Sequence, residues 1–495
     1  MLSFETVVCI ATIFVAGGLV YHILLGPTGT APFVKGPIPG LGVALSFVQS
    51  PTRFLENQRK KLGWIFEIYI AGQRMTLLSD PISANKQAWM SKSLSLIHFI
   101  LYVDRSLFAY SKRIVDDVPF LRKAAKQLVA LLTSRVEMKD TVDLIRQEYL
   151  QLIEDGSKFA EDTESGKEID LYEECRYNMF YASSVGLFGT AFPVDSIYKP
   201  YMIFEDSIMK FLKSYPKFLN REGFAGRQKV LDELGSYFTD PVRVRNSAPF
   251  VQKMYQLFQE TEYTDAEDYA GYFFSIIFAA KSNSVPGAFW LLAEIISHPE
   301  LKAQVELIIA ENYNPETKSF DWDALMSNPV LDSCFKETLR INANIVSGRL
   351  AMEDTTLRVA SSTDASPKPY QIKKGTQLLI FQNQMHWDAD VYPDPMEWKG
   401  DRFLDENKEK LIMHTDKWKS YAPWGGGAHM CPGRFLAQVE AYAQLVYTLF
   451  LYDIEPLEDI PKPIIGDRYG GGLLKPERGY RVKIIRRKNP LSALA

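Results

Sequence analysis

A single cysteine, Cys431, stands between three glycines and the start of a predicted helix in YAPWGGGAHMCPGRFLAQ, residues 421–438. A cysteine does chemistry as a thiolate, and free N–H groups at a helix N-terminus favour that charged form. Pro432 suits a first helical position, where its missing N–H would have no partner anyway. Gly433 lets its backbone approach the sulfur closely. Gly425, Gly426 and Gly427 carry no side chains, so a bulky planar group can lie against the loop. Together these residues suit a cysteine thiolate that serves as the axial and only metal-binding ligand of a haem iron. The other cysteines, Cys9, Cys175 and Cys334, are far apart and form no CxxC pair. They are expected to be reduced thiols, small and buried.

A second constellation bears on the same loop. KETLR puts Glu337 and Arg340 three residues apart, on one helical face. Taken alone, such a pair reads as a surface ion pair worth under ~1 kcal/mol. YPDPMEWKGDRF, residues 392–403, supplies a third member, Arg402. With these residues in hand, the chain resembles the cytochrome P-450 superfamily of haem-thiolate enzymes. The family's cysteine loop reads aromatic-x-x-Gly-x-Arg-x-Cys-x-Gly; here the positions are Trp424, Gly427, His429, Cys431 and Gly433. Glu337 and Arg340 match its Glu-x-x-Arg, Arg402 the arginine of its Pro-Glu-Arg-Phe-like segment, and HWDADVYPDP (386–395) the stretch before that arginine. The resemblance implies that the Glu–Arg–Arg network locks the cysteine loop and that haem b is the cofactor.

The chain departs from the family pattern in several places. Trp424 replaces a phenylalanine. His429 stands where an arginine pairs with a haem propionate, and its charge depends on pH. Arg349 resembles a second propionate partner. No Trp-x-x-x-Arg occurs near residues 110–130; Arg122, Lys123 and Lys126 are the basic candidates there. In the long helix, family members read Ala/Gly-Gly-x-Asp/Glu-Thr-Thr, whose acid and threonine relay protons to dioxygen. This chain reads Ala279, Ala280, Lys281, Ser282, Asn283, Ser284. Asparagine donates and accepts hydrogen bonds but is no acid near neutral pH. FAAKSNSVPGAFW (278–290) and DRYGGGLLKPE (467–477) look like the sterol 7α-hydroxylase and prostacyclin synthase branch, which holds oxygenases and an isomerase. GGGAHMCPGRFLA (425–437) is similar to fungal members.

The elements that must position these residues can be outlined from pattern. Apolar spacing of three and four predicts helices over 121–136 and 168–189. The acidic stretch 160–168 between them reads as a solvated connection. One long helix is predicted over 264–298, with Thr264 and Glu267 as a capping box and Pro299 after its end. At 100° per residue, Asn283, Ala279, Ala280 and Gly287 share one face. The catalytic candidates are Ala279, Ala280, Asn283 and Ser284. Lys281 points away from that face and reads as a structural or paired lysine. Pro286 cannot donate to the carbonyl of Ser282, so the helix is predicted to open or kink there. Residues 329–341 form another helix, residues 348–381 a small sheet, and a last helix starts just after Cys431. Short strands are expected at Ile65–Ile70 and Met75–Leu78.

At the N-terminus, Thr6–Leu25 holds no charged residue, and about 20 apolar residues span a bilayer core. A retained anchor over residues 1–25 is favoured over a cleaved signal. Residues 26–42, rich in proline and glycine, read as a stiff connector. Residues 43–495 form the haem-thiolate catalytic domain, mainly α with a small β subdomain. The resemblance implies the cytochrome P-450 fold, a single-pass endoplasmic reticulum protein and a cytosolic catalytic domain. The net charge of −4 gives no sign of a nucleic-acid surface.

The expected substrate-binding walls are Ala343, Ile345, Val346, Leu473 and Leu474, which favour a lipophilic molecule such as a sterol, terpenoid or other secondary metabolite. Lys408, Lys410, Lys417, Lys419 and Arg434 flank the cysteine loop and offer a basic surface to NADPH–cytochrome P-450 reductase. The favoured reading is a monooxygenase that takes O2 and reductase electrons. The alternative is an isomerase or dehydratase that needs no reductase, because Ser282 and Asn283 replace the acid–threonine pair. A third reading, a membrane-anchored binding protein, requires Cys431 to be a mere core thiol. No Walker loop, Gly-x-Ser-x-Gly elbow or His-Glu-x-x-His motif points to another class.

Overall fold

The computed structural model describes residues 29–38, 41–70, 73–156, 161–163, 165–212, 215–361, 364–412, 419–465 and 471–488. The predicted anchor over residues 1–25 lies outside the described residues. The helices that position the site are α1 (Leu96–Phe108), α2 (Val118–Thr133), α3 (Arg135–Glu154), α4 (Leu171–Phe188), α5 (Ala266–Lys281), α6 (Ser284–Ser297), α7 (Pro329–Asn342) and α8 (Arg434–Leu451). One sheet joins β1 (Phe33–Val34), β2 (Ile65–Ile70), β3 (Gln73–Leu78), β4 (Leu94–Ser95), β5 (Ala343–Ala351), β6 (Gln377–Phe381) and β7 (Gly471–Leu473).

In that sheet the spatial order is β1-β2-β3-β6-β5-β7, with β4 paired to the far end of β5. The strand β5 is the hinge of the arrangement. Its first residues pair with β7, Ala343 opposite Leu473, and its later ones with β6, Arg349 opposite Leu378. The first strand, inside the Pro/Gly-rich stretch, pairs in parallel with β2 through Phe33 and Glu67.

The main core lies among the helices. Helix α6 packs against α4, α7 and α8, and α8 also packs against α3. Its residues Val285–Ala293 are all buried, as an all-round apolar pattern requires. Among the described residues, Ala266–Ser297 is the one helical run long and apolar enough to cross a membrane, and it is buried in this core.

Several predicted boundaries moved for physical reasons. The helix over 121–136 ends at Thr133, because the Ser134 side chain caps the next helix by accepting from the Glu137 N–H at 3.2 Å. The capping box of α5 is Asp265 with Asp268, one residue beyond the predicted Thr264 and Glu267. The long helix is interrupted at Ser282 and Asn283, consistent with a proline at position 286 that removes one helical donor. The acidic stretch 160–168 is no free connection: Glu161–Thr163 and Gly166–Asp170 are antiparallel strands, and the latter pairs with Arg481–Arg486. That pairing joins segments more than 300 residues apart, and local pattern carries no trace of it. Helix α8 begins at Arg434, so Pro432 precedes the helix instead of opening it, and Gly433 is its cap.

Candidate active site

A cavity of about 660 Å3 runs from the Cys431 loop to the faces of α1, α2 and α5. The loop is built by tight backbone turns. The Gly425 N–H donates to Ala422 O at 3.0 Å, and the Cys431 N–H to Trp424 O at 2.9 Å. Gly425 and Gly427 hold positive φ of 72° and 66°, a region that favours glycine. The glycines divide their tasks. A Cβ on Gly426 or Gly427 would collide with Trp89, at 2.3 Å and 2.5 Å, so those two make room for protein. Gly427 does not reach the cavity. Gly425, Gly426 and Gly433 do, and a Cβ on Gly433 would meet only Cys431 Sγ, at 4.0 Å. Burial raises the Cys431 thiol above its usual value, while the N–H groups of Gly433 and Arg434 and the Arg434 charge act to lower it.

Behind the loop, Glu337 and Arg340 on α7 are both wholly buried, so the surface-pair reading does not apply. Arg340 donates to Glu337 through Nε at 2.7 Å and Nη2 at 2.9 Å. Arg402 Nε donates to Glu337 Oε1 at 2.8 Å, and the Lys399 N–H to the same oxygen at 3.1 Å. Arg402 also donates to the carbonyls of Pro393 and Glu397, at 2.7 Å and 2.9 Å. The network reaches the loop through a residue the motif reading did not single out. Arg340 Nη1 donates to His386 O at 2.8 Å, and His386 Nε2 accepts from the Ala422 N–H at 2.9 Å. Burial, and secondarily Arg340, push His386 down to about 3, so it is neutral and can accept.

Arg349 and His429 both line the cavity. Arg349 is buried, donates from Nη1 to Gly348 O at 2.8 Å, and leaves Nε without a partner. Burial lowers it to about 10. Burial, then Arg349, also lower His429. By contrast, Arg122, Lys123 and Lys126 are exposed and do not line the cavity. The cavity face of α2 is Leu121, Ala125, Leu128 and Leu132, and the basic residues fall on the other side.

Ala279, Ala280, Asn283, Ser284 and Gly287 line the cavity together. Asn283 does so while tied down: its Oδ1 accepts from the Leu473 N–H at 2.9 Å, joining the helix break to β7. Lys281 points elsewhere, into the core between α5, α4 and α8. It is buried, its Nζ has no hydrogen-bond partner, and it lies 5.4 Å from the centroid of the Phe180 ring. Its charge faces that of Glu440 on α8, a cavity-lining carboxyl whose Oε1 is buried without a hydrogen-bond partner. Burial moves the two groups towards neutrality, Lys281 down and Glu440 up.

Of the predicted substrate walls, Ile345 and Leu473 line the cavity, whereas Ala343, Val346 and Leu474 do not. For Val346 the reason is the two-residue period of a strand: Ile345, Ser347 and Arg349 face in, and Val346 falls on the other face. Ala343, the first residue of β5, is fully buried in the core instead. Leu474 is fully buried, and its carbonyl accepts from Trp290 Nε1 at 2.7 Å. Lys417 lies outside the described residues. Lys408, Lys410 and Lys419 are exposed, and Arg434 donates to Cys431 O at 3.0 Å.

The cytochrome P450 family model matches residues 32–484, nearly the whole chain. The chain belongs to the cytochrome P450 family. It is 28% identical over 490 residues to pig cytochrome P450 7A1, covering 92% of this chain and 94% of that protein. It is 26% identical over 479 residues to the human 7-alpha-hydroxycholest-4-en-3-one 12-alpha-hydroxylase (91% and 92% covered). It is also 26% identical over 487 residues to a pig 5-beta-cholestane-3-alpha,7-alpha-diol 12-alpha-hydroxylase (93% of each). The chain is thus an oxidoreductase, and its cofactor is the haem b that P450s bind through a cysteine thiolate. The residues present fit that group. Among the described residues Cys431 is the one cysteine on the cavity, Gly425 and Gly433 leave room beside it, and Arg349 offers an orphaned buried Nε to an anionic group.

Proposed function

We propose that this P450 hydroxylates a lipophilic, sterol-sized substrate, taking O2 and two electrons from NADPH–cytochrome P450 reductase. One observation carries the reading. A single apolar cavity joins the Cys431 loop to the small-residue face of α5 and α6, Ala279, Ala280 and Gly287. Cys431 would bind the haem iron through its sulfur, Arg349 and His429 would donate to the propionates, and Gly425 and Gly433 would leave room for the ring. Glu337, Arg340 and Arg402 hold the loop in place. Haem supplies the activation of dioxygen; the balanced reaction converts RH, O2, two electrons and two protons to ROH and water.

The protein's own part is to hold the substrate against Ile345, Leu473 and the alanines, exclude water, and keep protons within reach. With Ser282 in place of an acid and Asn283 Oδ1 engaged by Leu473, the nearest titratable group on the cavity wall near Ser284 is Glu440. The names of two relatives, a 7-alpha-hydroxycholest-4-en-3-one 12-alpha-hydroxylase and a cholesterol 7-alpha-monooxygenase, support a rigid polycyclic substrate. An N-terminal anchor in the endoplasmic reticulum membrane would place the domain where such substrates partition.

Ser282 and Asn283 also support a second reading, a haem-thiolate isomerase that works without a reductase. Reduced protein under carbon monoxide should give the red-shifted Soret band of thiolate ligation, and Cys431→Ser should lose it. Incubation with sterol extracts, with and without NADPH and reductase, separates the two readings. Hydroxylated product only when both are present is the expected result; turnover in their absence removes the monooxygenase.

A further inference from the structure

One carboxyl group stands in the apolar part of the cavity with no counter-charge. Asp104 lies on the stripe of α1 made by Ile97, Ile100, Leu101 and Leu107, which faces the cavity. Among the described residues it makes no ion pair and no hydrogen bond, and burial alone pushes it up to about 7. Tyr110 and Tyr272 share this region, and both phenols are raised by burial and then by the charge of Asp104. Tyr110 Oη and the Ser275 hydroxyl lie 2.7 Å apart in a hydrogen bond. All four line the same cavity as Cys431. Tyr272 precedes Ala279 by two turns of α5, about 10 Å along the axis.

An unpaired carboxyl on an apolar face is costly, and a leucine there would continue the stripe. The cost is offset if a ligand completes the pair. A hydroxyl group both donates and accepts, so it can give its proton to Asp104 and take one from a tyrosine. An ammonium has donors only, and its burial against one half-neutral carboxyl would cost several kcal/mol in desolvation. We propose that Asp104, flanked by Tyr110 and Tyr272, binds a hydroxyl group of the substrate at the end remote from the Cys431 loop. The enzyme then selects a lipophilic alcohol and fixes which carbon reaches the reacting centre. This rests on the P450 reading of the cavity and narrows its substrate class.

The test is spectral and needs no turnover. N-alkylimidazoles of graded chain length place a ligating nitrogen at the iron and run their tails up the cavity. They are titrated into haem-loaded full-length protein with methyl, hydroxyl or ammonium ends. At one length the hydroxyl-ended probe should bind about 10-fold tighter than the methyl-ended one, the worth of a hydrogen bond to a charged group. Asp104→Leu should erase that preference while leaving the methyl-ended probe unchanged, which also shows that the variant is folded. Asp104→Asn, which keeps an acceptor and the side chain's shape, should keep part of it and serves if the leucine variant does not fold. A wild type with no hydroxyl preference at any length, a preference that survives in Asp104→Leu, or a stronger preference for the ammonium end each overturns the proposal. Absence of any imidazole spectrum would instead refute the haem-thiolate site.

Discussion

Glu337 accepts from two arginines and a backbone amide while wholly shielded from water. Its replacement by the isosteric amide leaves Arg340 and Arg402 as buried cations without a counter-ion. Breaking a buried pair this way costs about 3–5 kcal/mol. Glu337→Gln is therefore expected to lower haem occupancy and the carbon monoxide difference spectrum together, measured per mole of purified protein. His386 is the link from this network to the loop, and its role depends on its being neutral. Titration of the loop by His386 should be absent down to about pH 4, because burial holds it at about 3. Asn283 makes the other decisive single contact. Asn283→Leu removes the acceptor of the Leu473 N–H, at a cost of about 1–3 kcal/mol, and should loosen β7, seen as faster amide exchange at Leu473.

At the scale of elements, the interruption between α5 and α6 is what lets Asn283 reach β7. Pro286 supplies part of that interruption by withholding a donor from the Ser282 carbonyl. Pro286→Ala restores the donor and is expected to favour one continuous helix. The predicted result is a raised melting temperature together with weaker binding of lipophilic ligands, because Asn283 is drawn off β7. A variant that gains stability and keeps full ligand affinity would show that the break has other causes. On β5, pattern and outcome differ instructively. ANIV reads as a continuous apolar wall, but a strand presents alternate residues to one face, so Ile345 reaches the cavity and Val346 does not.

At the scale of the whole molecule, Lys281 and Glu440 couple three helices through the core. Glu440, raised to about 7 by burial, binds its proton more tightly folded than unfolded, so stability falls as pH rises from about 4.5 to 7. Lys281, lowered to about 7, is the mirror case: the unfolded chain holds its proton at higher pH, so stability recovers between 7 and about 10.5. The facing groups are Phe180 and Ser183 on α4, Ser284 on α6 and Tyr149 on α3, none of which carries a counter-charge near neutral pH. Lys281→Met should abolish the recovery above pH 7, read as a melting temperature that keeps falling with pH. Lys281→Met with Glu440→Gln should flatten the profile, since a buried pair replaced on both sides is often no less stable.

The sequence by itself determined the glycine-rich cysteine loop, the Glu-x-x-Arg helix, the small-residue face of the long helix and the direction of Lys281. Each of these depends on residues within one element, where spacing and periodicity translate directly into geometry. Only the tertiary structure decided that Gly427 packs on Trp89 away from the cavity, that His386 carries the network to Ala422, and that Asn283 is held by Leu473. It alone brought Asp104 on α1, and Tyr110 just after it, beside Tyr272 on α5. These are contacts between segments far apart in the chain, and such contacts are set by packing, on which local pattern is silent.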